Sequence, residues 1–472
     1  MASKEIAAPN RAFQAVLSQA GMSNNGLARR IRQESERRGN PLYTDHGTVG
    51  RWLNKGQQPE AETAQLIATI LSRELKQAIT TSALGFTSAS TSAPAAQLVR
   101  LDVEYPADAG AATDGLSALA SADTEGTSPE RLRNWDLHAA PGVITGYLFG
   151  DGEPETTAVA RDDAPIDATS IRLTTTKLME LDFQLGGGHT RDLLLPYFRS
   201  QVLPLFGALP RGGGRRNLFV ATAELAQMLG WSAYDAGRHG AAQRYFVHAL
   251  RLAREADDRL LGARLLSNLS HQANYLGAFP HAVQLARAAQ AATTNRGPSS
   301  ATTLAMLTAM EARALASLGD AAGSAAALAR AAQAMDRSNP DEDPEWIGYF
   351  DRAELAGEAA HCFRDLRRPT ETGEFSTLAL PPGCPPRTRA FINMVSAMAE
   401  LHAGRLDEAV NGVRNAVALA GSLKSSRYQQ YVRDFVAAAV KLHPRDARVV
   451  DLVAFTAPVV ADNRTPLPNL AP

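Results

Sequence analysis

The stretch Leu27–Pro59, LARRIRQESERRGNPLYTDHGTVGRWLNKGQQP, decides how the chain is read. It divides into two short helices with a basic connection between them. Leu27 and Ala28 open an apolar face that returns at Ile31, the spacing of one side of a helix. Thr44 stands where an N-cap is needed, since its hydroxyl can accept from an unpaired amide of the first turn. Asp45, His46, Gly47 and Thr48 form that turn, Val49 and Trp52 point inward, and Arg51 points outward. Asn54, Lys55 and Gly56 end the helix with residues that tolerate a left-handed turn. Two ordinary packed helices would share much of this pattern. The Trp-Leu-Asn-Lys-Gly-x-x-Pro ending and the local charge are what point to nucleic acid.

The charge is uneven along the chain. The 472 residues carry a net charge of −1, but residues 1–86 hold 11 Lys and Arg against 7 Asp and Glu, a surplus of +4. The remainder is therefore acidic by −5. A basic head on an acidic body is the distribution of a DNA reader with a separate regulatory part. No apolar run approaches the roughly 20 residues of a membrane span. The start, MASKEIAAPNRAF, has no apolar signal core, so a cytoplasmic protein is expected. Cys362 and Cys384, the two cysteines, are too few for a zinc site or a disulfide framework. No cofactor or metal is expected.

The chain then reads in order. Residues 10–20 place Phe13, Val16, Leu17 and Ala20 on one helical face, and Gly21 ends the helix. Ser23 caps a second helix to about Ser35. ERRGNPLY is longer than a minimal turn and basic at Arg37 and Arg38. Glu60–Gln77 reads as a further helix, and Leu84-Gly85-Phe86 closes the head at residue 86. Residues 87–128, rich in Ala, Ser, Thr and Gly, read as a flexible linker, with Leu98–Tyr105 a short strand or docking segment. Residues 129–216 are a transitional helical segment. Within it, Gly186-Gly187-Gly188-His189-Thr190 lacks the Lys-Ser/Thr of a phosphate loop and reads as a helix–helix turn.

From residue 217 to 455 the chain repeats itself. Helix, glycine turn, helix recurs over residues 229–253, 269–292, 312–335 and 397–420, and LARAAQA occurs at both 285 and 328. Small residues stand at i, i+4 and i+7 in each unit: Ala242/Phe246/Ala249, Ala282/Ala286/Ala289, Ala325/Ala329/Ala332 and Ala409/Val413/Ala416. A degenerate unit is expected around Leu355–Leu380, before the break at Pro381–Pro386, and a Pro-rich tail over residues 456–472. Hairpins that cannot bury their apolar faces alone must stack into a continuous body with a concave groove. An irregular helical bundle is the plainer alternative. For the groove, the polar stripe Asn268, His271, Asn274 and Tyr275 and its counterpart Gln227, Trp231 and Tyr234 are the candidates for holding an effector. A solvated face with a satisfied histidine would show the same residues.

The helix pair resembles a helix-turn-helix of the XRE (repressor-like) family in Thr44, Val49, Trp52, Gly56 and Pro59, and the repeats resemble tetratricopeptide repeats. FQLGGGHTRD, GWSAYDAGRHGAAQRYFVHALRLA and LLSNLSHQANYLG are similar to segments of actinobacterial XRE-type regulators that carry such repeats C-terminally. The resemblance implies an all-α protein, with a helix-turn-helix domain, a linker and an α-solenoid. It also implies a homodimeric transcriptional regulator, often of differentiation or secondary metabolism, associated with the nucleoid. Base reading falls on Asp45, His46, Gly47, Thr48 and Arg51, with Thr44 at the helix start. Phosphate contact falls on Arg29, Arg30, Arg37, Arg38 and Lys55. Asp45 would either accept from a cytosine amine or cap its own helix. The expected partners are double-stranded DNA with an inverted-repeat operator, a second copy of the chain, and a peptide, small molecule or protein in the groove. The alternative is a protein-interaction scaffold whose head has lost DNA binding. An enzyme is not expected, since HExxH, GxSxG and P-loop motifs are all missing.

Overall fold

The computed structural model describes residues 9–37, 44–55, 57–59, 61–75, 79, 81, 84–86, 103–124, 132, 134–150, 168–185, 187–208, 215–293, 300–421, 423 and 425–460. The side chains of 36–37, 61–62, 65, 183–185, 187–189 and 207–208 are outside this description. Every regular element among the described residues is helical, and none is long and apolar enough to cross a membrane. The chain divides into two compact units between residues 96 and 97.

The first unit contains α1 (Arg11–Gln19), α2 (Asn24–Arg37), α3 (His46–Asn54) and α4 (Ala61–Leu75). Its core gathers Phe13, Leu27, Ile31, Val49, Ile67 and Leu71 with Leu84 and Phe86 of the closing segment. Phe13 meets Phe86 edge to face with ring centres 4.8 Å apart. Asn10 ties three parts together. Its Oδ1 accepts from Phe13 N (3.0 Å), its Nδ2 donates to the Leu84 carbonyl (2.9 Å), and its backbone N donates to the Leu53 carbonyl (2.8 Å). Gly85 completes the joint at φ +65, where an added Cβ would stand 2.7 Å from Asn10 Oδ1. Ser23 caps α2, its Oγ accepting from Gly26 N at 3.1 Å.

The cap of α3 differs from the sequence reading. Asp45, not Thr44, is the N-cap: its backbone is extended and its Oδ1 accepts from Thr48 N at 2.7 Å. Aspartate adds a negative charge at the positive end of the helix, which a threonine cannot. Thr44 is buried one residue outside. At the other end Lys55 has φ −113, so the helix does not turn left-handed there. Gly56 is outside the described residues.

The second unit begins earlier than the sequence suggests. Residues 109–124, read as part of a flexible linker, form helix α5 (Ala109–Thr124). Ala112, Leu116 and Leu119 fall at i, i+4 and i+7 and are fully buried, which stabilises a helix that composition alone would not. Of the expected strand or docking segment, residues 98–102 are undescribed; Val103 is buried and Tyr105 packs on Tyr147. Then come α6 (Ala139–Phe149), α7 (Ala168–Leu185), α8 (Gly187–Tyr197), a π turn at Phe198–Val202 and α9 (Leu203–Ala208). Of the stretch read as a turn, residues 187–190 instead open α8, and Gly186 is outside the described residues.

Six helix pairs follow: α10 (Arg216–Asp235) and α11 (His239–Glu255); α12 (Arg259–Tyr275) and α13 (Phe279–Thr293); α14 (Ala301–Ser317) and α15 (Ala321–Met335); α16 (Arg352–Asp365) and α17 (Pro369–Leu378); α18 (Pro386–His402) and α19 (Leu406–Ala420); α20 (Ser426–Leu442) and α21 (Ala447–Val460). The result is a solenoid-like stack. The turns Gly237, Asp257, Gly277, Gly319, Arg367 and Gly404 all have positive φ. At each, the next amide bonds back to a carbonyl five residues earlier, as Arg238 N does to Ala233 O. The expected tail is partly helix, because α21 runs through Val460. Residues 461–472 are undescribed.

Three of the four small-residue triplets are buried; the third is not. Ala325, Ala329 and Ala332 are exposed, and α15 buries Ser324, Ala327, Ala331 and Ala334 instead. The two LARAAQA copies therefore sit differently, since α13 packs against α6 as well as its neighbours. Their arginines still share a role. Arg287 Nε and Arg330 Nη2 both bind the Glu311 carboxylate, each at 2.8 Å.

Candidate nucleic-acid interface and cavity of the helical body

In the first unit, α3 seals one face and presents the other. Val49, Trp52 and Leu53 are buried, so Trp52 is a core residue. His46, Arg51 and Lys55 are exposed, and Gly47 and Thr48 are half-buried. Arg51 Nη2 donates to Thr48 Oγ1 at 2.7 Å, which holds the guanidinium along the first turn. The hydrogen bonds from Thr48 hold the Asp45 carboxyl below its ordinary value, so it is ionised and occupied as a cap. A Cβ on Gly47 would meet nothing closer than 3.5 Å, so packing does not require glycine there.

The basic residues of α2 split into two roles. Arg30 is paired with Glu74 of α4, and Arg73 with Glu34 at 3.5 Å. These pairs brace α2 against α4, so Arg30 is not the open phosphate ligand the sequence suggests. Arg29 and Arg32 are exposed, one helical turn apart, with no carboxylate in ion-pair range among the described residues. Arg32 was not among the sequence candidates, though its i+3 spacing from Arg29 was visible. The side chain of Arg37, and Arg38 altogether, lie outside the described residues.

The second unit encloses a cavity of about 260 Å3. Gln227, Trp231, Asn268 and His271 line it, as the polar stripes suggest. Tyr234, Asn274 and Tyr275 do not. Tyr234 is fully buried behind His271, and Tyr275 packs edge to face on Tyr234 with ring centres 5.3 Å apart. The cavity wall adds Arg264 and residues of two further pairs that the sequence reading missed, so that positions i, i+4 and i+7 line it on the first helix of successive pairs. They are Arg264/Asn268/His271 on α12, Met306/Met310/Arg313 on α14 and Glu354/Glu358/His361 on α16. Repeating the Asn268–His271 stripe one pair onward would have found them.

Hydrogen bonds fix this wall. Arg313 Nη1 approaches His271 Nε2 at 3.3 Å and Glu358 Oε2 at 3.0 Å. An arginine can only donate, so His271 Nε2 accepts and its proton sits on Nδ1, directed at Tyr234 Oη 3.2 Å away. Burial and the nearby Arg313 and Arg427 hold His271 well below the ordinary histidine value, hence neutral. With its amide turned to suit its neighbours, Gln227 accepts from Arg264 Nε (3.3 Å), Asn268 Nδ2 (2.9 Å) and Trp231 Nε1 (3.0 Å). Asp235, buried, receives Arg387 at 3.1 Å and Arg427 at 2.8 Å, and together they outweigh the desolvation that would raise its pKa. Among the described residues no cluster of three or more His, Cys, Asp or Glu is placed to hold a metal ion.

No curated protein matches the chain. Residues 13–87, which take in most of α1, then α2 to α4 and the closing segment, match the family model of the SP15 N-terminal domain.

Proposed function

We propose that the chain is a sequence-specific DNA-binding transcriptional regulator, with the first unit as reader and the second as the dimerising, effector-sensing body. The exposed first turns of α3 carry this reading. Nine residues give a rod of roughly 14 Å, with one face anchored in the core and His46, Thr48 and Arg51 on the other. A major groove admits such a helix, and an arginine fork pairs with guanine O6 and N7. Arg29, Arg32 and Lys55 supply open positive charge for phosphates. The XRE-like signature and the tetratricopeptide-like repeats add a homodimer, an inverted-repeat operator and a place in the cytoplasm at the nucleoid. Effector binding in the cavity would act by population shift, favouring one pitch of the helical stack and so one spacing of the two heads. A protein-interaction scaffold is the second reading. What favours it is the pairing of Arg30 and Arg73 with acids, which leaves less open charge than the composition suggests.

Gel shifts on a selected operator and on random DNA test the reading. Arg51→Ala should remove the preference for the operator. Arg29→Ala should weaken both DNAs alike and lower the log-log salt slope by about 0.9 for the lost phosphate. Equal losses on both DNAs from both variants would contradict the base-reading role of α3.

A further inference from the structure

Four arginines line the cavity of the second unit, and three of them are matched. Arg313 holds Glu358, Arg387 holds Asp182 and Asp235, and Arg427 holds Asp235. Arg264 is different. It is 6% exposed, its guanidinium lies 4.6 Å from the centre of the Trp346 ring, and no carboxylate among the described residues comes within ion-pair distance. Glu224, whose field reaches it, is already gripped by Arg172 at 2.9 Å. A buried cation without a counter-ion is costly, and its planar fork suits a carboxylate. The cavity also holds the converse. Glu354 lines it with no side-chain partner among the described residues, beside Glu358. Burial, Glu358 and Asp351 push the Glu354 carboxyl up to about 8, so it holds its proton at neutral pH and an arriving ammonium would displace that proton to solvent. The same wall includes the apolar and pliable Met228, Met306, Met310 and Phe350.

We infer that this cavity binds a small amphoteric molecule of amino-acid to dipeptide size, its carboxylate on Arg264 and its ammonium on Glu354. One unmatched guanidinium suits a monoanion better than a phosphate, which carries roughly −1.5 to −2. About 260 Å3 lies just under the usual range of ligand pockets, roughly 300–1,000 Å3, which suits a small molecule. The methionine wall predicts tolerance of the side chain between the two ends.

The inference rests on the second unit being an effector domain, so its test contains no DNA, and a head that never binds DNA leaves the outcome unchanged. The full chain is exposed to a mixed dipeptide library in free, N-acetylated and C-amidated forms, and to inorganic phosphate. Binding is read by native mass spectrometry and thermal shift. Free dipeptides should bind, and each blocked form should bind roughly 10- to 100-fold more weakly. In Arg264→Gln the free and amidated forms should bind alike; in Glu354→Gln the free and acetylated forms should. The second variant keeps the test open where the first folds poorly. Absence of binding from the free library, equal binding of the blocked libraries, full competition by phosphate, or unchanged discrimination in the variants would each overturn the inference.

Discussion

Gly47 is the position of α3 where stability and the proposed DNA contact can be separated. An added methyl meets only ordinary contacts, at 3.5 Å and beyond, and alanine favours a helix over glycine by about 1 kcal/mol. Gly47→Ala should therefore keep or raise the melting temperature while, on the proposed reading of α3 as the DNA-facing helix, weakening operator binding. A fall in melting temperature would show a packing role instead. Titration makes a second residue-scale prediction. His239 and His248 are pushed down to about 4 by burial, so as pH falls the unfolded chain takes up protons first. The contribution of these two histidines should be flat above about pH 7 and fall between 6.5 and 4, by roughly 1.4 kcal/mol per pH unit for each. Glu354 runs the other way. Its folded value lies above its unfolded one, so its contribution is full at low pH and lost as pH rises towards 8. Glu354→Gln should raise the melting temperature at pH 8 and leave it unchanged near pH 4; an equal change at both would contradict this. At this scale the sequence was partly legible. Asn268 and His271 stand out as a polar stripe on one helix. Arg264 and Glu354 acquire meaning only when helices from separate pairs enclose one space, and Thr44 and Asp45 compete for one cap that only backbone geometry decides.

Among the elements, α5 shows where composition misleads. Its Ala, Ser, Thr and Gly content resembles a linker, yet it buries Leu116 and Leu119 and carries in its last turn Asp123, whose carboxylate is shut from solvent. There Arg191 (2.6 Å) and Arg238 grip it, and Tyr245 donates at 3.2 Å. Gly115 lets α5 approach α11, since a Cβ would stand 2.2 Å from His248 Cε1. Gly115→Ala should cost about 1–3 kcal/mol in chemical denaturation, although alanine is the better helix former. No loss would return this stretch to the status of a linker. The hairpin helices were legible because their glycine turns and apolar periods recur. The register of α15 was not, because in an alanine-rich helix every face carries small residues, and only the neighbours choose which is buried.

At the scale of the whole molecule, the proposed function makes one unit a reader and the other a sensor. A ligand shifts DNA binding only by as much as its affinity differs between two shapes of the body. The all-helical architecture and the solenoid-like body follow from periodicity, which one sequence displays in full. The enclosing of four arginines in one cavity depends on curvature, which it does not. The reading of the first unit as a sequence-specific DNA reader is tested most directly by capture of genomic DNA with the purified full chain, sequenced and compared with Arg51→Ala. The intact protein should enrich a short inverted repeat that the variant does not. An intact protein that enriches no motif, or the same motif enriched equally by both, would contradict that reading.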